Sequence, residues 1–183
     1  MKSVGMHKKT WFKMNPNKCA FGASAGQFLG FMVHQRRIEI SRRSIDAINK
    51  IVAPTNKTEL QSLIGKINFI RRFISNLSGK ILAFSPLLKL KADQEFIWGK
   101  EQQLALDEIK NYLTNPPVLI PPQQGKPFRL YLSTDRMVIG SALIQEFEGK
   151  KRVIYYLSKR LVDAETRYSA LEKLCLCLYF SCI

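Results

Sequence analysis

The residue best suited to catalysis in this sequence is Glu172, a carboxylate inside a predicted helix. It lies beside an apolar stripe with helical spacing, made of Tyr168, Leu171, Cys175 and Leu178. Several carboxylates that converge on two Mg²⁺ ions about 4 Å apart can hydrolyse a phosphodiester, and a carboxylate near a buried helix face can be one of them. The same glutamate could instead pair with Lys173 or Arg167 at the surface. The spacing alone favours neither the catalytic role nor the surface ion pair.

Three predicted strands precede that helix. Residues 128–133, 138–146 and 152–157 alternate in polarity or are rich in β-branched and aromatic residues, and Glu148-Gly149 is typical of a hairpin turn. The helix is predicted from about Asp163. Its segment 174–180 is apolar on every side, which predicts burial in an interior. We expect three antiparallel strands and a buried helix that holds Glu172, and the helix's end at Ile183 without a cap predicts a truncated protein.

The positive charge is concentrated in the first half of the chain. Residues 1–91 hold 17 basic and 3 acidic side chains, whereas residues 92–183 hold 12 and 11. Apolar residues such as Phe28, Leu63 and Phe73 stand between these charges, which argues against a disordered tail. The asymmetry predicts a polyanionic partner, with nucleic acid favoured over an anionic membrane surface.

No apolar run approaches the roughly 20 residues of a membrane span, and no signal peptide is visible. We therefore expect an intracellular protein, in the cytoplasm or nucleus, with no membrane partner. The four cysteines, of which three lie in the last nine residues, predict free thiols rather than a zinc site.

The basic half is predicted to be mainly helical. Residues 27–33 are typical of a buried strand, and helices are predicted over 41–52 and 56–75. The second helix has apolar residues three and four apart, and Asn56 with Glu59 can cap its start. Its basic residues lie mostly off the apolar stripe; they are Lys57, Lys66, Arg71 and Arg72. A further helix is predicted over 100–113, followed by a proline-rich linker within 116–127.

Several segments in order resemble the Pol polyprotein of gypsy-type LTR retrotransposons over residues 12–183. The Asn-Pro-Asn-Lys-Cys-Ala-Phe run at 15–21, with Phe-Leu-Gly-Phe at 28–31, resembles the palm end and primer grip of reverse transcriptase. Residues 60–74 resemble the thumb, and Phe-Ile-Trp at 96–98 with Pro-Pro-Val-Leu at 116–119 resembles the connection. Residues 155–159, 165–168 and 172–174 resemble the RNase H domain.

The resemblance implies an α+β fold with four parts. These are a palm end with a primer-grip-like strand over 1–40, a helical thumb over 41–91, a connection and linker over 92–126, and the N-terminal half of an RNase H-like domain over 127–183. The parent family joins an RNA-directed DNA polymerase to a ribonuclease H and uses Mg²⁺. Its implied partners are the backbone of a template–primer or RNA–DNA duplex and the rest of the Pol polyprotein.

The sequence departs from the family at the catalytic acids. The polymerase carboxylates would lie upstream of Met1. In active RNase H domains of the family an Asp stands seven residues before the glycine that matches Gly140, and here Ser133 occupies that position. A hydroxyl cannot replace an anionic Mg²⁺ ligand. Asp135 lies roughly 6–7 Å further along the strand, and the last two acids would lie beyond Ile183. Glu172 alone matches, so no productive Mg²⁺ site is expected.

We therefore predict a retrotransposon-derived fragment that binds duplex backbone and is inactive as a nuclease alone. The predicted contact residues are Phe28, Leu29, Gly30, Lys57, Lys66, Arg71 and Arg72. Two alternatives remain open: an active or complementable ribonuclease H that uses Asp135 with Glu172, and a non-enzymatic DNA-binding module whose helices 41–52 and 56–75 act as a helix-turn-helix.

Overall fold

Two three-stranded antiparallel sheets flank a helical segment along the chain in the computed structural model, which describes residues 15, 19, 21–91 and 94–183. The first sheet contains β1 (Ala25–Phe28), β2 (Phe31–His34) and β3 (Ile38–Ile40). The helices that follow are α1 (Arg42–Asn49), α2 (Lys57–Phe69), α3 (Leu77–Lys80), α4 (Ser85–Leu88) and α5 (Lys100–Thr114). The second sheet contains β4 (Phe128–Thr134), β5 (Val138–Phe147) and β6 (Lys150–Arg160), and α6 (Ala170–Cys182) follows it. Most of the predicted palm-end segment 15–21 lies outside the described residues.

The segment predicted as one buried strand over 27–33 is instead the tip of a β-hairpin. Phe28 pairs with Phe31 across the tip, and Leu29 and Gly30 form the turn with φ of 48° and 78°. Two positive φ values in a row match the twist of the flanking strands and favour a tight hairpin. Phe28 is 66% exposed and Leu29 is 70% exposed, so the prediction of a buried strand was wrong.

Helix α2 supplies the centre of the larger core, as its periodicity predicts. Leu60, Leu63 and Ile67 are buried, and the cluster extends into α5 through Leu106 and Ile109. The predicted cap is confirmed in part. The Asn56 side chain accepts a hydrogen bond from the Glu59 N–H at 2.9 Å, but the Glu59 carboxylate accepts from the Thr55 N–H at 2.8 Å instead of returning to Asn56. The helix ends at Phe69, and a 3₁₀ turn over Arg71–Phe73 continues the chain.

The second sheet lies between α6 and the helical segment. On one face, Ile139, Leu161 and Cys177 form a small buried cluster between sheet and α6. On the other face, the Ser78 N–H donates to Ser158 Oγ at 2.9 Å and Arg160 Nη1 donates to Ser85 Oγ at 2.6 Å. The three predicted strands and the Glu148-Gly149 turn are confirmed, with β6 extending beyond the predicted range at both ends.

The proline-rich linker connects the two sheets through backbone hydrogen bonds. Ile38 and Leu119 exchange two such bonds, at 2.7 and 3.0 Å, and the Ile120 N–H donates to the Val153 carbonyl at 3.0 Å. The linker therefore fixes the position of β3 relative to β6.

Helix α6 is less buried than its composition predicts. Leu171 is 71% exposed, Leu178 is 47% exposed and Tyr179 is 61% exposed, whereas Cys177 is fully buried. Burial is confined to the side that packs on the sheet, so the prediction of an all-round interior helix was wrong. In the described part of the chain, no helix has the length and apolar character needed to cross a membrane.

Candidate nucleic-acid interface and carboxylate site

The hairpin tip is docked on the surface formed by α1 and α2. The Gly30 carbonyl accepts hydrogen bonds from the Ser41 N–H and from Ser44 Oγ, both at 3.3 Å. A Cβ atom at Gly30 would lie 2.6 Å from Cζ of Phe69, so only glycine permits this approach. The Phe31 ring stacks on Phe69 with ring centroids 5.0 Å apart. The tip is thus held in place while the preceding residues stay exposed.

Three predicted basic residues are exposed beside this tip. Lys66 shares a groove of about 420 Å³ with Ser44 and Phe69, and the Arg72 guanidinium lies 5.8 Å from the centroid of the Phe31 ring. Arg71 precedes Arg72 in the same 3₁₀ turn. Among the described residues none of these three cations forms an ion pair. We call Phe28, Leu29, Lys66, Arg71 and Arg72 the tip surface.

Lys57 is the predicted contact residue that does not join the tip surface. It is half-buried, and its ammonium donates to the Leu90 carbonyl at 2.8 Å. This bond joins the start of α2 to the end of the short helices, 33 residues away. Sequence reasoning also missed Ser44 and Phe69, because their contacts with Gly30 exist only once the hairpin folds back on the helices.

The Glu172 side chain forms a capping box at the start of α6. Its carboxylate accepts from the Ser169 N–H at 2.7 Å, and Ser169 Oγ accepts from the Glu172 N–H at 3.3 Å. The bond from the Ser169 backbone lowers the pKa of Glu172 below its ordinary value. The stripe that was expected to be buried beside Glu172 is the exposed side of α6, since Leu171, Cys175 and Leu178 are all exposed. Cys177 faces the sheet, five residues on and about 140° around the helix.

Asp135 lies in the β4–β5 turn on the opposite side of the sheet from α6. One carboxylate oxygen accepts from the Arg136 N–H at 2.7 Å. Asp135 and Ser133 line a cavity together with Ser75 and Asn76, which belong to the helical segment. The structure therefore does not join Asp135 and Glu172 in one cluster.

A buried cation also stands where α6 meets this turn. The Lys173 side chain is 9% exposed, and its ammonium donates to the Arg136 carbonyl at 3.3 Å. Across the described ranges, no group of three or more His, Cys, Asp or Glu side chains is placed to hold a metal ion. The residues present do not fit a two-Mg²⁺ site.

Comparison with known proteins agrees with this architecture. Residues 98–183 match the family model of the RNase H-like domain found in reverse transcriptase. The chain is 28% identical over 161 residues to the transposon Tf2-3 and Tf2-4 polyproteins of Schizosaccharomyces pombe, covering 87% of this chain and 12% of each polyprotein. It thus spans only a small part of these relatives.

The fold is also similar to that of solved reverse transcriptases. A foamy viral protease–reverse transcriptase in complex with an RNA/DNA hybrid aligns with a TM-score of 0.76 and 25% identity, over 91% of this chain and 22% of that one. The foamy viral enzyme in complex with double-stranded DNA aligns with a TM-score of 0.75 and 25% identity, over 87% of this chain and 33% of that one. The resemblance to a retrotransposon Pol polyprotein and the predicted α+β fold class are confirmed.

Proposed function

We propose that this chain binds the backbone of an RNA–DNA or DNA duplex through its basic half, without reading base sequence. The observation that carries the proposal is the tip surface, where a hairpin fixed by Gly30 is flanked by Lys66, Arg71 and Arg72 without ion pairs among the described residues. Cations that are not already held in ion pairs can neutralise phosphates at little cost. The similar foamy viral proteins were solved with an RNA/DNA hybrid and with double-stranded DNA, which supports the same partner class here.

The four-part assignment is part of this proposal. Residues 1–40 correspond to the palm end, 41–91 to the thumb, 92–126 to the connection, and 127–183 to the start of the RNase H-like domain. The end of β3 at Ile40 and the start of β4 at Phe128 support the first and last boundaries. The remaining partner is the rest of a Pol polyprotein, and the site of action is intracellular, in the cytoplasm or nucleus.

The binding proposal is tested by fluorescence anisotropy with a labelled RNA–DNA hybrid across a range of NaCl concentrations. Each neutralised phosphate contributes about 0.9 to the slope of log affinity against log salt. Replacing Lys66, Arg71 and Arg72 with Gln is therefore expected to reduce that slope by about 2 to 3. Affinity that does not depend on salt, or a slope that the triple variant leaves unchanged, contradicts the proposal.

A matched control variant removes three positive charges from exposed residues outside the tip surface. Lys100, Arg136 and Arg167 are exposed, and no ion pair is found for them among the described residues. The triple Gln variant of these residues is expected to retain most of the salt slope. Selection from random duplexes tests the helix-turn-helix alternative, since a sequence preference would favour it over backbone binding.

We further propose that the chain alone does not cleave a hybrid. The capping role of Glu172 and the lack, among the described residues, of a cluster of three or more potential metal ligands support this proposal. The test is incubation with an RNA–DNA hybrid and Mg²⁺. Cleavage that is lost in both Glu172→Gln and Asp135→Asn would establish the active-nuclease alternative.

A further inference from the structure

A slot between two tyrosines lies on the second sheet (β4–β6), on the side that faces the helical segment. Tyr131, Ala142 and Tyr156 pair directly across β4, β5 and β6, and Ser133 pairs with Gly140 in the same cavity. Neighbouring strands are about 4.8 Å apart, so the two tyrosines originate about 10 Å apart. The residue between them is small. The resulting cavity of about 260 Å³ suits one planar ring system better than a larger ligand.

The two ends of the slot differ in charge. At one end, Asp135 uses one carboxylate oxygen for the Arg136 N–H, and no hydrogen bond to its second oxygen is found among the described residues. At the other end, the Lys151 ammonium donates to the Tyr131 hydroxyl at 2.8 Å and lies 5.4 Å from the centroid of its ring. Four residues of strand, about 13 Å, separate Tyr131 from Asp135. A ligand that fills the slot would meet an anionic acceptor at one end and a cation at the other.

We propose that this slot binds one unpaired nucleobase that carries an exocyclic amino group. The base lies between Tyr131 and Tyr156, its amino group donates to Asp135, and the nucleotide phosphate lies near Lys151. Aromatic side chains stack on unpaired bases, and carboxylates accept hydrogen bonds from the cytosine amino group. This activity is separate from duplex binding by the tip surface, because it needs a base that is not paired.

The neighbours of Tyr156 agree with a stacking role. Burial, together with the nearby Tyr112, raises the pKa of Tyr156, so its ring stays neutral at physiological pH. The Ser133 hydroxyl lines the same cavity where the family has a catalytic Asp. A neutral hydroxyl leaves the floor of the slot free of the second negative charge that would repel a nucleotide.

The test is an NMR titration of the full chain with cytidine 5′-monophosphate and with uridine 5′-monophosphate. These probes differ at one position of the base, where cytosine has an amino donor and uracil has a carbonyl acceptor. We expect saturable shifts of the Gly140 and Ala142 amides with the cytidine nucleotide. Its affinity is expected to be about tenfold higher than that of the uridine nucleotide, because only the cytosine amino group can donate a hydrogen bond to the charged Asp135 carboxylate. Neither mononucleotide forms a duplex, so the result is independent of the proposed duplex binding.

Four variants test the assignment of the slot. Asp135→Asn is expected to abolish or reverse the preference for cytidine, and Ala142→Leu is expected to block binding by filling the floor. If Ala142→Leu fails to fold, Tyr131→Ala replaces it, with a loss of affinity of about tenfold or more expected from lost stacking. Tyr179→Ala removes an exposed tyrosine on α6 and is expected to bind like the parent chain. Absence of shifts at Gly140 and Ala142, or equal binding of both nucleotides that Asp135→Asn leaves unchanged, would overturn the proposal.

Discussion

Gly30 sets the position of the tip surface through its backbone and its missing side chain. Its φ is 78°, and a Cβ atom would lie 2.6 Å from Phe69 Cζ. Gly30→Ala is therefore expected to lower the free energy of unfolding by about 1–3 kcal/mol, because a left-handed backbone and a steric clash act together. Urea denaturation measures this loss, and the affinity for an RNA–DNA hybrid should fall in the same variant as the tip moves away from α2.

Gly26 provides the control within the same hairpin. It lies in β1 outside the left-handed region, and a Cβ atom there meets nothing within 4 Å. Gly26→Ala is expected to change the free energy of unfolding by less than about 0.5 kcal/mol. Equal stability of the two alanine variants would show that the tip is not seated against Phe69.

Glu172 gives a pH-dependent prediction because its carboxylate caps α6. Its pKa is lowered in the folded state, chiefly by the hydrogen bond from the Ser169 backbone. A lowered folded-state pKa means that the stabilisation is present above the ordinary value of 4.5 and is lost as the pH falls through the folded-state pKa. The free energy of unfolding should thus fall less in Glu172→Gln than in the parent chain when the pH is lowered from about 6 to about 3. Identical pH dependence in the two proteins would contradict the capping role.

At the scale of elements, removing the cap of α2 should affect global stability, whereas removing the cap of α6 should have a mainly local effect. Asn56→Ala and Ser169→Ala each remove a side-chain acceptor for a first-turn N–H, a loss of about 1 kcal/mol. Helix α2 is central to the larger core, whereas α6 buries mainly Cys177. We expect Asn56→Ala to lower global stability in urea, and Ser169→Ala to speed amide exchange mainly in the first turns of α6. Slower exchange in α6 than in α2 for the Ser169 variant would contradict this ranking.

The sequence predicts best those elements that have a clear hydrophobic period and turn or capping residues at their ends. Helix α2 has buried residues at 60, 63 and 67, and the turn between β5 and β6 has positive φ at both Glu148 and Gly149. The prediction of a buried strand over 27–33 was wrong because a hairpin tip that packs on a helix has the same composition as a buried strand. A Leu-Gly turn also lacks the Asn-Gly or Asp-Gly signal of a tight hairpin.

The candidate sites were predicted less completely, for two physical reasons. The exposed cations Lys66, Arg71 and Arg72 could be found from charge and helical spacing, but the bond from Lys57 to Leu90 depends on tertiary packing. The Ser-x-x-Glu spacing at 169–172 is a helix-start signal that sequence alone offers. The match of Glu172 to a catalytic acid of the RNase H domain favoured a catalytic role over this capping role. The Tyr131–Ala142–Tyr156 row could not be foreseen, because a β-bulge between Leu143 and Ile144 shifts the register of β5 against β6.

At the scale of the whole molecule, the two sheets and the helices between them are joined by specific bonds. The Ile38–Leu119 pair connects the first sheet to the linker, and Arg160 connects the second sheet to Ser85. The tip surface and the tyrosine slot therefore belong to one connected framework. The duplex binding proposed for the tip surface and the base binding proposed for the slot can then be tested separately on the same folded chain.

The net charge of +15 leads to opposite salt effects on stability and on binding. Repulsion among the cations destabilises the folded chain at low ionic strength, and salt screens it. Raising NaCl from about 50 to about 200 mM should thus increase the free energy of unfolding, while three phosphate contacts predict a loss of duplex affinity of about 40-fold. Urea denaturation and anisotropy on the same samples measure both.

The Gln variant of Lys66, Arg71 and Arg72 should gain stability at low salt and show a smaller loss of affinity, since the same cations cause both effects. A variant that lost stability at low salt would show that these side chains stabilise the fold instead of standing free for phosphates.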